Sequence, residues 1–583
     1  MTILSALAKA YDRLPNAPPF GYSAQGILYC LVIDHTGRVV GDPVSLASDE
    51  KGKPIPRVMN VPYFGGRSGS NPPPYFLWDN SAYVLGKTAK GFDAEKRFSA
   101  FKEYHLSILK DAESLALKGF VRFLEMWDSS QFQILNFPDQ ILDRNIVFRL
   151  VDEKKFIHEG DEAKTKWNNF YEPDVIGERI CLISGEPQQI ARLHPPIATF
   201  DNPARIVSFD RDNDSFSSYG HIQAENAPTG VKYAFAYTAV LNNFLSRGSG
   251  HRIQIGDAST VFWADASEAG IAEEAEMMFP VFFDTADKEQ ETEEKLGTKR
   301  IRERLEQIRI GVPLEEVEPD LGKVQFYVLG LAPNAARLSI RFFHSGNFGA
   351  LTRHYQQFVS DMRIEPPPRD PYPPLWRYLR ETAVLGKSEN VTPNLAGEWM
   401  RSILSGMPYP LTLLSSVLTR IRADGEINAL RAGILKALLI RNFKSKEASV
   451  ALDLTNKKKG YLLGRLFAVY EHIQTAALGP KVNATIKDKF YGSASAQPRK
   501  VFHLLESGSA NHLSKIGKQK PGYKVVLEKQ VGAIMDLMSP GADPFPASLA
   551  AEDQALFGLG YYHQRNEFFK KPAEAAVSGE IDA

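Results

Sequence analysis

Between Glu365 and Pro374 the sequence reads EPPPRDPYPP, six prolines in ten residues. Each proline lacks a backbone N–H and fixes φ, so neither a helix interior nor a central strand passes through such a stretch. The chain is therefore expected to divide into 1–364 and 375–583, with 365–374 as the boundary. The pattern changes across it. Upstream, ILYCLVID (27–34), VFRLVD, RICLISG and STVFWAD (259–265) read as strands, and KVQFYVLGLA (323–332) with RLSIRFFHSG (337–346) as an antiparallel pair joined by PNAA. Between them, Leu4, Leu7, Ala8 and Tyr11, the stretch 95–127 and YAFAYTAVLNNFL (233–245) carry helical spacing. Downstream, LRAGILKALLIRNF, YLLGRLFAVYEHIQ and KVVLEKQVGAIMDLM are amphipathic helices. The expected fold class is α+β: a mixed N-terminal region of β-sheets and helices, in one or two subdomains, then an all-α C-terminal helical bundle.

Lys+Arg and Asp+Glu both number 69, so the formal net charge is zero and a uniformly basic coat is excluded. The charges are segregated. From Arg420 to Lys520 there are 19 basic and 7 acidic residues, a local excess of 19 − 7 = +12. Within it stand Lys457, Lys458 and Lys459, then Arg499 and Lys500, then lysines 515, 518 and 520. A solvated basic face and a nucleic-acid surface both fit; the one-sided excess favours the second. Residues 265–294 carry eleven acidic groups and one lysine, and TKRIRERLEQIRI follows. This pair reads as an exposed, charge-laced connector, helical in its second part.

A second candidate lies in NVPYFGGRSGSNPPPYFLWDN (60–80). Gly65, Gly66 and Gly69 permit close backbone approach, and prolines 72–74 stiffen an extended arm. Gly65, Gly66, Arg67, Ser68, Ser70 and Asn71 suit contacts to base edges or phosphates in a groove, and Lys87 follows near enough to touch phosphate. The same loop also fits an ordinary surface loop or a subunit contact.

No HExxH, P-loop or GxSxG spacing occurs. His194, His221, His251 and Asp257 lack ligand spacing, and Cys30 and Cys181 stand alone. The expectation is no catalytic residue, no metal and no cofactor. Trp127 and Trp263 read as packing anchors. The N-terminal stretch lacks the pattern of a signal peptide, and no apolar run approaches the ~18 residues of a membrane span. A cytoplasmic protein without membrane contact is expected.

Seven stretches together resemble one family: RSGSNPPPYFLWDNSAYVLG (67–86), ERICLISGEPQQIARLHPPI (178–197), SFSSYGHIQAENAP (215–228), FAYTAVLNNFL, HRIQIGDASTVFWAD (251–265), LGLAPNAARLSIRFF (329–343) and LFGLGYYHQR (556–565). In this order they are similar to the large subunit of the type I-C CRISPR Cascade surveillance complex. The resemblance implies a non-catalytic subunit near the 5′ end of the guide RNA (crRNA). It implies recognition of the protospacer-adjacent motif in target double-stranded DNA, help in opening that duplex, and a C-terminal bundle that holds the displaced single strand. Sequence reading would rest on guide–target pairing. The implied partners are the backbone, crRNA-handle and small subunits, and a helicase–nuclease recruited after R-loop formation. It also implies a C-terminal small-subunit product from an internal start, for which Met400 and Met407 are the available methionines. A metal-dependent nuclease and a protein–protein scaffold remain the rival readings.

Overall fold

Thr2 opens the first helix, α1 (Ile3–Ala10): its hydroxyl accepts the Ser5 amide, and the Ser5 hydroxyl accepts the Thr2 amide. In the computed structural model the described residues are 1–50, 53–63, 65, 72–90, 93–198, 203–209, 220–221, 223–265, 269–283, 299–334, 337–479, 484–539, 541 and 543–570. The chain divides into two compact units, one of residues 1–247 and 333–339, the other of residues 248–332 and 340–583.

In the first unit, β2 (Tyr29–Ile33) realises most of the predicted ILYCLVID strand, which breaks at Leu28 after β1 (Tyr22–Ile27). With β3 (Val44–Ser45), β4 (Arg57–Pro62), β5 (Trp78–Asn80) and β6 (Asn145–Leu150) they build two sheets. One is four-stranded, in the order β3-β2-β6-β5, with β2 and β6 parallel; the other is the antiparallel ribbon β1-β4. Helices α2 (Ala94–Ile108), α3 (Leu115–Met126) and α4 (Asp161–Phe170) bury an aromatic core that includes Phe101, Phe120, Phe123, Phe148 and Trp167. His105 is enclosed in that core. Its Nε2 accepts the Leu77 amide at 2.8 Å, which leaves Nδ1 to donate to the Phe101 carbonyl at 2.8 Å. Strands β7 (Val175–Ile180) and β8 (Pro187–Ala191) form a second ribbon against α5 (Val231–Leu245). The RICLISG strand thus ends at Ile180, and Leu182–Ser184 turn.

In the second unit, β9 (Arg252–Ile255), β10 (Ala258–Asp265), β11 (Gln325–Asn334) and β12 (Arg337–Asn347) form a sheet in that order. Helices α6 (Ala269–Phe283), α7 (Lys299–Arg309) and α8 (Phe348–Met362) follow. The acidic stretch 284–298 lies outside the described residues. The basic helix after it is not the expected exposed connector. Leu305 and Ile308 enter the core, and buried Arg304 pairs with Glu274 and Glu318. Its apolar residues at i and i+3 demand a covered face, which overrides its charge.

Helices α9 (Pro393–Ser405), α10 (Leu411–Asp424), α11 (Ala429–Arg441), α12 (Lys459–Leu478), α13 (Ile486–Ala496), α14 (Pro498–Gln519), α15 (Pro521–Met535) and α16 (Ala551–Glu567) complete the predicted bundle. One core runs from Phe262 and Phe326 of the sheet to Leu463 and Phe557 of the bundle. The division by compactness therefore falls at Arg247/Gly248, and the proline segment 365–374 lies within the second unit. Prolines end helices and strands, but their carbonyls still accept hydrogen bonds. Tyr562 donates its hydroxyl to the Pro366 carbonyl at 2.6 Å, and the Glu365 amide donates to Val450 at 2.8 Å.

Candidate nucleic-acid interface

Two helices of the bundle begin at residues that share one partner, Asp543. Lys458 occupies the position before α12 and Gln497 the position before α14, whose first residue is Pro498. Proline suits a first helical position because the N–H it lacks would be unpaired there. A later segment crosses these starts: the Arg499 amide donates to the Pro546 carbonyl at 3.1 Å and the Leu549 amide to Ala496 at 2.9 Å. Asp543 organises the crossing. Its carbonyl accepts Lys459 Nζ at 2.8 Å, its carboxylate takes the Arg499 guanidinium and also accepts the Phe545 amide. The Arg499 hydrogen bond, then the Phe545 amide, hold this exposed carboxyl below the usual carboxylate range.

Lys459 and Arg499, at the starts of α12 and α14, thus share Asp543, and Lys457, Lys458 and Lys500 are their neighbours in sequence. Lys458 Nζ lies 3.6 Å from Glu447. Lys457 and Lys500 are exposed and make no ion pair among the described residues. Cations at a helix N-terminus oppose the helix dipole, whereas an anion is favoured there. An anionic ligand would relieve this arrangement.

The site extends further than the five residues. Lys500, Leu504, Asn511, Lys515 and Lys518 recur at intervals of four, seven, four and three along α14, and all are exposed. They share one helix face. The eighteen helical steps from Lys500 to Lys518 span about 27 Å. That i, i+3/i+4 spacing was available in the sequence as the signal for Lys515 and Lys518.

The ends of the Gly/Ser loop are tied down by aromatic side chains. Gly65 adopts φ +125, with open space where a side chain would stand. Its carbonyl accepts the Tyr75 hydroxyl at 3.1 Å, and the Pro72 carbonyl accepts the Tyr83 hydroxyl at 2.6 Å. Tyr75 stacks on Trp78 (4.6 Å between centroids) and on Tyr63 (5.2 Å), while Trp78 donates Nε1 to Pro62 at 2.7 Å. Aromatic side chains from one short segment hold both ends of the loop. Gly66, Arg67, Ser68, Ser70 and Asn71 lie outside the described residues. Lys87 is half-buried, and its backbone is tied to Ser81.

His194, His251 and Asp257 have separate local partners. His194 Nδ1 meets the Tyr237 hydroxyl at 2.7 Å, His251 Nδ1 meets the Phe262 carbonyl at 3.2 Å, and Asp257 pairs with Arg341 at 2.5 Å. No group of three metal-ligating side chains occurs among the described residues. Trp127 and Trp263 are buried, as packing anchors should be.

A profile of the CRISPR-associated protein family Cas_Csd1 matches residues 7–569, nearly the whole chain. The chain belongs to the Cas_Csd1 family. This is the family of type I-C Cascade large subunits. No curated protein sequence matches this Cas_Csd1 chain. Within it, the stretch LFGLGYYHQR (556–565) proves to be architecture: every residue from Leu556 to Gln564 is buried along α16. No helix among the described residues is long and apolar enough to cross a membrane.

Proposed function

We propose that this Cas_Csd1 protein is the DNA-engaging large subunit of its Cascade complex, a binding subunit and not an enzyme. The observation that carries the reading is that Lys459 and Arg499, at two helix starts, share Asp543; Lys457, Lys458 and Lys500 flank them in sequence, and Lys515 and Lys518 continue along α14. Such a basic track fits the phosphates of the displaced single strand. The loop 65–71, held at its aromatic base, reads the protospacer-adjacent motif in the target duplex, and Arg67 and Asn71 supply its donors. Together these contacts favour duplex opening over a crRNA-matched target. Cleavage is left to a recruited helicase–nuclease.

The test is DNA binding by the assembled complex across a salt series. Changing Lys457, Lys458 and Lys500 to Ala should weaken binding to the opened target and shallow the log–log salt slope by about 2, at ~0.7 per lost single-strand phosphate contact. Arg67→Ala or Asn71→Ala should cost roughly 1–3 kcal/mol on the correct flanking motif and nothing on guide RNA loading. An unchanged slope rejects the basic track; equal binding of matched and mismatched flanks rejects the loop as reader.

A further inference from the structure

The β7–β8 ribbon has two unlike faces. Opposed residues of an antiparallel pair share a face, and here Gln188 faces Arg179, Pro187 faces Ile180 and Gln189 faces Glu178. The inner face is covered around Gln188 and Ile190, while Arg179 on it stays exposed. Ile190 bridges to Gly230, the Gln188 side chain lies against Gly230 at the start of α5, and Cys181, Ile190 and Ala224 form a small core with Tyr233. Cys181 Sγ accepts the Gly230 amide at 3.2 Å and the Ile183 amide at 3.3 Å, which pins the turn.

The outer face is open. Glu178, Ile180, Pro187 and Gln189 are all exposed, and Leu182 follows in the turn. Ile180 is 57% and Leu182 65% exposed, on a scaffold held from beneath. A strand that turns one face to a core ordinarily turns polar residues to water. Exposed, adjacent, large apolar side chains on a rigid ribbon mark a contact surface.

Charge decides the occupant. Glu178 lies on this face and Glu186 at its edge; both are exposed, and neither makes an ion pair among the described residues. The nearby Arg179 is committed to Glu225 at 2.7 Å. Free carboxylates around an apolar centre repel nucleic-acid phosphate, and they oppose a second copy of the same acidic face. They attract a protein surface with an apolar centre and a lysine or arginine rim. Because Cas_Csd1 proteins are Cascade subunits, partner proteins are at hand in the assembly. We infer that the outer face of the β7–β8 ribbon docks another protein subunit of the complex, through Ile180 and Leu182 against an apolar patch and Glu178 and Glu186 against basic side chains.

The experiment is co-assembly of the full chain with the other subunits and crRNA, read by native mass spectrometry, with DNA binding followed separately. Ile180→Glu with Leu182→Glu should lower the share of this chain in the purified complex about tenfold or more. The melting temperature of the isolated chain should stay the same, since both residues are exposed. Glu178→Lys with Glu186→Lys, which leaves the apolar centre intact, should reduce incorporation and reverse its salt dependence. Full incorporation of both variants overturns the inference. So does loss of crRNA with every protein subunit retained, or a wild-type self-dimer that the Ile180 variant dissolves. A failure here leaves the DNA salt slope unchanged, so it is distinguishable from failure of the DNA-binding reading.

Discussion

A β-carbon placed on Gly464 would stand 2.0 Å from the carbonyl oxygen of Phe557, so α12 and α16 meet backbone to backbone. Gly460 repeats the contact one turn earlier against Asp553, and Gly560 returns it against Tyr461. Polar pairs lock the seam on either side: the Tyr461 hydroxyl meets His563 Nδ1 at 2.9 Å, Arg465 Nε donates to Gln564 at 3.0 Å, and the Tyr561 hydroxyl donates to Glu471 at 2.5 Å. The residues that carry this seam are those of the LFGLGYYHQR stretch and its partners on α12.

Gly464→Ala should therefore destabilise the bundle. Alanine favours a helix over glycine by about 1 kcal/mol, but here the methyl meets a carbonyl that cannot yield, and overpacking costs roughly 1–3 kcal/mol or more. Gly532→Ala on α15 is the control, because its β-carbon would meet open space. It should raise stability by about 0.5–1 kcal/mol. Thermal melting of the two variants should move in opposite directions; a Gly464→Ala chain that melts with wild type contradicts the seam.

Asp361 of α8 is buried and ties α11 and the connection between α9 and α10 to its own helix. Its carboxylate accepts Arg441 Nε at 2.8 Å, the Tyr409 hydroxyl at 3.0 Å and Gln357 Nε2 at 2.7 Å. Asp361→Ala strands the Arg441 charge in the core and should cost about 3–5 kcal/mol. A product starting at Met407 would lose Asp361 as well, together with the Ser360 and Asp361 carbonyls that receive buried Lys436. Urea midpoints of the Asp361→Ala chain and of residues 407–583 should both fall below that of the full chain.

Acid should weaken the fold early. Burial pushes His158, His194, His344 and His563 down to about 4 and His105 down to about 3, from an ordinary value near 6.5. Between those limits the unfolded chain binds protons that the folded chain does not. Stability is then present in full above about pH 6.5 and declines as pH falls through the window, at about 1.4 kcal/mol per pH unit for each histidine. Urea midpoints at pH 7 and pH 5 test this; equal midpoints would mean that these histidines take up protons in place.

Asp543 restrains the basic cluster it organises. Asp543→Asn removes the carboxylate from Arg499 and frees one cation for phosphate. Single-stranded DNA binding should tighten, and its salt slope should steepen by about 0.7. If binding is unchanged, Arg499 does not reach the nucleic acid.

Much of the fold was legible residue by residue. The strand 259–265 and the helix 233–245 fell where their patterns put them, as β10 and α5. The reading of 299–309 as an exposed connector missed because Arg304 is neutralised by Glu274 and Glu318, fourteen or more positions away along the chain. In the candidate site the five basic residues were legible as charge. The convergence of Lys459 and Arg499 was not, since it depends on Asp543, 84 positions beyond Lys459 and 44 beyond Arg499.

By itself the sequence determined the elements and the family. Periods of 2 and 3.6 follow from backbone geometry, proline removes a donor wherever it stands, and ordered motifs survive without knowledge of their contacts. Tertiary structure alone decided where the compact units divide, that the family stretch 556–565 is a packing seam, and that Ile180 and Leu182 face outward from a ribbon covered beneath around Gln188 and Ile190. Burial and ion pairing join residues tens to hundreds of positions apart, and local pattern carries no record of that distance.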